Sequence, residues 1–297
     1  MDPLVIALVA VSGVLHVAWN IRIKTAGDPL LAAAIGLVAG ALIIVPLGAA
    51  VWWLSGAAAL PADGLALGLA SGVIEAAYFV LLAAAYRRGD LSVVYPIARG
   101  TAPLILVGVG VVLLGERLGT AGWIGVACLL AGFLVLQRPW LAVRAALSGE
   151  RRSQPGGAIA FAVATGVAIA AYTTVDRVGT RLIDPVPYAA ILWASGSLVL
   201  AGVVVATRRQ TGFRDPAVVR PAAIGGILTL AAYLLVLYAL SVAPLTAVAP
   251  LRESATVLAA AWGALRLGEA VSRGDATRRI VASAVIVAGA ILLALDA

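Results

Sequence analysis

Five ionisable side chains interrupt segments of the sequence that are otherwise apolar: His16, Glu75, Arg99, Arg252 and Glu253. A charged side chain at the centre of a membrane costs at least about 2.5 kcal/mol, so such residues face a bundle interior or a water-filled cavity. A guanidinium can bind a carboxylate through two parallel hydrogen bonds, and a glutamate can bind an ammonium group. The five residues therefore predict a cavity that holds a zwitterionic small molecule.

Aromatic residues within the same apolar segments could form the walls of that cavity. A tyrosine or tryptophan ring combines an apolar body with a polar tip. The candidates are Trp19, Tyr78, Tyr95, Tyr172 and Tyr233. His16, Trp19 and Asn20 share one helix face because they lie three and four residues apart. His16 is the sole histidine, and it could either carry a proton or accept a hydrogen bond as a neutral ring.

The same charges also allow a purely structural interpretation. Glu75 could pair with Arg99, and Arg252 with Glu253, so that each pair neutralises its charge and fixes helix packing. Neighbouring residues on a helix do not face each other, however, so Arg252 and Glu253 each need another partner. The spacing therefore favours a cavity or a cross-helix network over local pairs.

The composition is that of a membrane protein. The 297 residues are 63% hydrophobic and 12% charged, with a mean hydropathy of +1.07. A membrane span needs about 20 apolar residues, and ten such stretches can be placed. They cover approximately residues 3–22, 29–53, 63–86, 91–114, 119–138, 156–176, 186–206, 217–240, 244–266 and 276–295. The first lacks a basic leader and a cleavage site, so it is predicted to be a permanent helix.

Motifs for enzymatic or metal chemistry are missing from the sequence. The single cysteine, Cys128, excludes an internal disulfide, and no Cys/His spacing predicts a metal site. There is no P-loop, so ATP is not the direct energy source. Ser71 could be paired with His16 as a hydrolase site, but no oxyanion device accompanies them. We therefore predict no enzyme, no metal and no cofactor.

The fourth and ninth spans are copies of one another. Pro250 follows Pro96 by 154 residues, and Glu269 follows Glu116 by 153. Proline frees a backbone carbonyl inside a helix and glycine tolerates the local change, which makes these positions candidates for bends. The predicted hinges are Pro96, Gly100 and Pro250. Interrupted helices at matching positions of two halves are the best sequence sign of a transporter's binding site.

The duplication extends to all five spans of each half. Residues 1–138 form the first repeat, residues 139–155 a hydrophilic linker, and residues 156–297 the second repeat. Because five is odd, the second repeat must enter the membrane in the opposite orientation. Sixteen of the 21 lysines and arginines lie in the alternate connections that include the linker, and three lie in the others. The positive-inside rule then places the basic loops in the cytoplasm and both termini outside.

Two further patterns predict structural roles. Glu116 and Glu269 each follow a glycine at the end of a span, where a carboxylate can stay in water. Glycines recur at four-residue spacing in the second and third spans, which predicts close helix packing rather than a substrate groove. These glycines are Gly36, Gly40, Gly64, Gly68 and Gly72.

Several segments together resemble the EamA-type members of the drug/metabolite transporter superfamily. They are HVAWN at residues 16–20, AxxxGDLSxVYPIARGxxPL with LGERL in the first repeat, and APLRESATVLAAAWGALRLGE in the second. The resemblance covers the whole chain. It implies a basket of ten helices whose central cavity is lined by spans one, three, four, six, eight and nine. Characterised relatives export amino acids and other small metabolites, and some exchange sugar phosphates or nucleotide sugars.

The sequence thus predicts an all-α membrane protein of ten spans in two inverted repeats around a central cavity. Its predicted function is export of small metabolites, above all neutral or aromatic amino acids, across a bacterial inner membrane by alternating access. Its partners would be this substrate and membrane lipid, with proton coupling and uncoupled exchange both open, and no nucleic acid is expected. A sugar-phosphate or nucleotide-sugar exchanger is one alternative, although Glu75 and Glu253 disfavour a dianionic ligand. A passive channel or scaffold is the other.

Overall fold

The computed structural model describes residues 2–24, 27–88, 91–138, 140–141, 144, 155–253 and 273–296. These residues form helices and the connections between them. The helices are α1 (Pro3–Lys24), α2 (Pro29–Leu54), α3 (Ala62–Arg88), α4 (Leu91–Val112), α5 (Thr120–Gln137), α6 (Pro155–Gly179), α7 (Pro185–Ala206), α8 (Pro216–Val242), α9 (Leu245–Glu253) and α10 (Arg273–Leu295). A short 3-10 helix, Gln210–Arg214, lies between α7 and α8. The all-α class is confirmed. Gly268, Glu269 and the second part of the predicted ninth span lie outside the described residues.

Five of these helices are long and apolar enough to cross a membrane: α2, α3, Gly157–Gly179 of α6, α7 and α8. Shorter apolar helical segments are Pro3–His16, Ile97–Val112, Thr120–Val135 and Val281–Leu293. Large apolar side chains are exposed along these helices, for example Leu42, Leu54 and Leu198. Such surfaces suit lipid rather than water, so the chain is a multi-pass membrane protein.

Two compact units divide the described helices. The first unit comprises Met1–Val17, Ala84–Val167 and Val242–Ala297, and the second comprises Ala18–Ala83 and Ala168–Ser241. The chain passes from one unit to the other within α1, α3 and α6 and at the end of α8. Each unit therefore draws helices from both predicted repeats, so the compact units do not coincide with the predicted repeats.

In the second unit, α2 and α7 pack against each other in antiparallel orientation. Gly48 near the end of α2 lies beside Ala190 near the beginning of α7, whereas Leu37 lies beside Gly196 further along α7. Helix α8 approaches α2 even more closely, because the backbones of Gly36 and Gly226 are in contact. Side chains at either position would force the two helices apart.

The predicted packing role of the third-span glycines is confirmed. Gly64 of α3 lies against Ile183, Gly68 lies against Ile191, and Gly72 is so close to the backbone of α7 that a Cβ would lie 2.8 Å from the amide nitrogen of Gly196. Glycine is the residue that lets α3 and α7 approach at this distance.

In the first unit, α5 packs antiparallel to α10. Gly125, early in α5, lies against Leu293 at the end of α10, and Gly132 lies against Ile286, about two turns earlier in α10. Val107 of α4 and Ala247 of α9 belong to the same buried apolar cluster. The pairs α2–α7, α4–α9 and α5–α10 correspond to matching spans of the two predicted repeats, and the members of each pair are neighbours in the fold.

Candidate functional site

Arg99 and His16 form a hydrogen-bonded pair in the first unit. Arg99 lies on α4 and is 7% exposed, and its guanidinium donates to Nε2 of His16 on α1. A guanidinium has no acceptor, so Nε2 must carry the lone pair, and the neutral ring holds its proton on Nδ1. Arg252 on α9 is partly buried and lies within electrostatic range of the same imidazole. Three of the predicted site residues are thus brought together.

Close packing of α4 against α6 fixes the turn that carries Arg99. A Cβ at Gly166 of α6 would lie 2.7 Å from the carbonyl oxygen of Ala98, so the two backbones touch immediately before Arg99. On the same turn, Thr101 donates its hydroxyl to the carbonyl of Ile97 at 2.7 Å. A threonine that bonds back in this way often bends a helix. The local backbone, rather than side-chain packing alone, therefore sets the position of Arg99.

The second unit gathers three of the predicted tyrosines into one aromatic series. The ring centroids of Tyr78 and Tyr172 are 5.9 Å apart, and those of Tyr172 and Tyr233 are 5.8 Å apart, both edge to face. Trp193 of α7, which the sequence did not single out, extends the series from Tyr233 at 5.8 Å. Edge-to-face pairs at these distances are favourable beyond simple burial. The series joins α3, α6, α8 and α7.

Glu75 and Trp19 belong to the second unit as well. Glu75 is 4% exposed on α3, one helical turn from Tyr78 and on the same face. Trp19 is part of the buried apolar cluster against which Tyr78 packs. The acid and the aromatic rings therefore lie on neighbouring parts of the same unit.

Asp176 is a buried acid that the sequence reasoning missed. It is 0% exposed near the end of α6. Tyr188 of α7 donates its hydroxyl to Oδ1 at 2.9 Å, and Tyr233 donates to Oδ2. The predicted sixth span ended at residue 176 and left Arg177 in a loop, whereas α6 continues to Gly179. The available signal was a charged residue inside an apolar helix. That signal was lost because the predicted span ended at this residue.

The other predicted residues are placed only in part. The side chains of Asn20, Tyr95, Pro96 and Glu253 lie outside the described part of the structure. Gly100 and Pro250 are buried within helical segments, α4 and α9, which continue through both positions. Their role as hinges stays a prediction. Across the ranges that the structure covers, no group of three or more His, Cys, Asp or Glu residues could hold a metal ion.

Glu116 has a partner that the sequence did not predict. Its Oε1 accepts from the amide of Leu245 at 2.7 Å, and its Oε2 accepts from the amide and the hydroxyl of Thr246 at 2.8 and 2.9 Å. Leu245 and Thr246 begin α9, so the carboxylate satisfies amides that have no partner within the helix. It also lies at the positive end of the helix dipole.

Residues 2–138 and 156–295 both match the EamA-like transporter family. The chain belongs to the EamA-like transporter family. The predicted resemblance is therefore confirmed, and the two matched segments make the chain a multi-pass transporter of the drug/metabolite transporter superfamily rather than an enzyme.

Two known proteins are similar to this chain, one in part of its sequence and the other in its fold. Over 70 residues, or 24% of this chain, the sequence is 39% identical to the spermidine export protein MdtI of Shigella flexneri, and the match spans 64% of that protein. A chain of known crystal structure is similar over 99% of both chains, with a TM-score of 0.71 and 19% sequence identity. At that identity the second similarity bears on the fold alone.

Proposed function

We propose that this EamA-like transporter exports neutral or aromatic amino acids across a bacterial inner membrane by alternating access. The observation that carries the proposal is the presence of both kinds of recognition group in buried positions. The first unit holds the guanidinium of Arg99 beside His16, and the second unit holds Glu75 beside a series of tyrosines. A carboxylate suits the guanidinium, and an ammonium group suits the acid and the ring faces.

We further propose ten spans in two inverted repeats, with both termini on the outer side. The antiparallel packing of α2 on α7 and of α5 on α10 supports this, because mates in repeats of the same orientation would run parallel. The positive-inside bias of the loops supports the same topology. Protons are a proposed second partner, with His16 as their candidate carrier.

An organic amine is a second candidate substrate. The relative that is 39% identical over 70 residues is a spermidine exporter. In addition, Glu75 and Asp176 are two buried acids in the unit that carries the aromatic series. Carboxylates and ring faces both bind ammonium ions, and a ligand bound in this way needs no carboxylate of its own.

The test is counterflow in liposomes that contain the purified protein. Vesicles are preloaded with one unlabelled compound and mixed with a trace of the same compound in labelled form. The panel comprises neutral and aromatic amino acids, spermidine and a sugar phosphate. Accumulation of a labelled amino acid supports the proposal, and accumulation of spermidine alone supports the amine candidate. Accumulation of the sugar phosphate alone, or of no compound, would contradict both and favour the exchanger or the channel and scaffold alternatives.

A further inference from the structure

Asp176 is the most deeply buried acid in the described part of the chain, and the proposed export of amino acids gives it no task. Its carboxylate is shared between two tyrosines on different helices. Oδ1 accepts from Tyr188 of α7 at 2.9 Å, and Oδ2 accepts from Tyr233 of α8. A hydrogen bond to a charged acceptor is about twice as strong as one between neutral groups, so both hydroxyls are firmly held.

The two tyrosines have different surroundings. The ring of Tyr188 lies directly against Gly179, where any Cβ would overlap it, and a Cβ at Gly68 would lie 3.4 Å from Cε2 of the same ring. Tyr188 is therefore held by backbone packing as well as by its hydroxyl. Tyr233 instead contacts two other rings, those of Tyr172 and Trp193, each at 5.8 Å.

The contacts of Tyr233 continue to the more exposed end of the aromatic series. Tyr172 and Tyr233 are both 4% exposed, while Tyr78, which contacts Tyr172, is the most exposed of the series. The energy of an edge-to-face pair depends on the angle between the rings. Fixing the hydroxyl of Tyr233 therefore restricts Tyr172 and, through it, Tyr78.

We propose that Asp176 is a positioning residue: it orients Tyr233 and, through ring contacts, the face that Tyr172 and Tyr78 present to the substrate. The inference rests on the proposed function, because it assigns these tyrosines to substrate recognition. Asp176 does not touch the substrate in this scheme. Its effect is on affinity. If the aromatic side chains are not held in place, they must be ordered when the substrate binds, and this cost offsets part of the binding free energy.

Transport kinetics separate this role from a general structural one. Y233F removes the bond to Tyr233, and D176N replaces its charged acceptor by a neutral amide, so we expect either to raise the KM of amino acid counterflow by up to about tenfold, the loss of one charge-assisted hydrogen bond. The maximal rate should change much less. The double variant should be no worse than Y233F alone, because D176N acts on Tyr233 through the bond that Y233F has already removed. Y188F is the matched control, since it removes the other hydroxyl from the same carboxylate, and its KM should stay near that of the wild type.

Fluorine NMR tests the positioning without any substrate. The seven tyrosines are labelled as 3-fluorotyrosine, and single Tyr→Phe variants assign the resonances. D176N should shift or broaden the signals of Tyr172 and Tyr78, whereas Y188F should leave them in place. If D176N does not insert in the membrane, Y233F should produce the same change at Tyr172, because it keeps the ring and loses only the hydroxyl.

The possible outcomes are distinguishable. Unchanged Tyr172 and Tyr78 signals in D176N, or equal changes in Y188F, would overturn the positioning role. The expected spectral changes in a wild-type protein that transports no amino acid would support the positioning and reject the proposed function. Expected spectra with an unchanged KM in D176N would overturn the link between positioning and substrate affinity.

Discussion

At the scale of single residues, the bond between Arg99 and His16 determines what each side chain can do. The guanidinium can only donate, so Nε2 of His16 cannot hold a proton while the bond exists. A proton carrier at this position would require Arg99 to move away during transport. If His16 only accepts this hydrogen bond and so orients Arg99 for a substrate carboxylate, Arg99 need not move away.

The two roles of His16 predict different results for one substitution. Glutamine provides a neutral acceptor at a similar distance but cannot be protonated near neutral pH. If His16 orients Arg99, His16→Gln should keep at least half of wild-type counterflow, and His16→Ala should lose most of it. The rates are measured in liposomes at equal protein incorporation. Equal loss of counterflow in both variants would reject the acceptor role and favour proton carriage.

The proposed function makes Arg99 and Glu75 the residues on which substrate recognition should depend most. We expect Arg99→Ala and Glu75→Ala to lower counterflow by at least about tenfold, because each removes a charge-assisted bond of roughly 1.5–3 kcal/mol. Arg99→Lys should also fail, since an ammonium group cannot form two parallel hydrogen bonds. Arg220→Ala, at an exposed position early in α8, is the control. Normal transport by the Arg99 and Glu75 variants would show that the recognition groups are misassigned.

At the scale of helices, Glu116 joins the connection after α4 to the first turn of α9 by hydrogen bonds. Glu116→Ala leaves the amides of Leu245 and Thr246 without this acceptor. Losing a cap of this kind costs about 0.5–2 kcal/mol, so the melting temperature in detergent should fall. Glu116→Gln keeps one acceptor oxygen and should lose less. A melting temperature for Glu116→Ala equal to that of the wild type would mean that the cap contributes no stability.

The contact between Gly36 of α2 and Gly226 of α8 offers a second test at this scale. Gly226→Ala would place a methyl group inside the backbone of α2, and such overpacking costs about 1–3 kcal/mol. Gly202→Ala is the matched control, because nothing lies within 4 Å of a Cβ at that position. Helix propensity alone should make the control slightly more stable. If both variants melt at the same temperature, the close approach of α2 and α8 is not needed for the fold.

The helices themselves were largely predictable, because apolar runs of fixed length follow directly from the thickness of a bilayer. The glycine contacts were predictable for a similar reason, since small residues at four-residue spacing allow helices to approach. Asp176 was missed because hydropathy locates a helix end only to within a few residues, and a charge near that end can be assigned to either side. The partners of Glu116 and Arg99 depend on which helices are neighbours, and no local pattern encodes that.

At the scale of the whole molecule, the positive-inside bias of the loops predicts the orientation of the termini. We predict that Asp2 lies outside and Arg208 inside. In a Cys128→Ala background, which removes the single native cysteine, Asp2→Cys should react with a membrane-impermeant thiol reagent added to intact cells, and Arg208→Cys should react only after lysis. The reverse pattern would refute the proposed topology, although not the family.

In the proposed function, the protein recognises both charged groups of an amino acid. The most direct test is inhibition of labelled tryptophan counterflow by tryptophan, by its decarboxylated amine and by the analogue that lacks only the amino group. For the wild-type protein, tryptophan should inhibit at least about tenfold more strongly than either analogue, because each has lost one charge-assisted interaction. In Arg99→Lys, the residual counterflow should be inhibited equally by tryptophan and the amine. Inhibition of the wild type by the amine as strong as that by tryptophan would show that the protein does not recognise the substrate carboxylate.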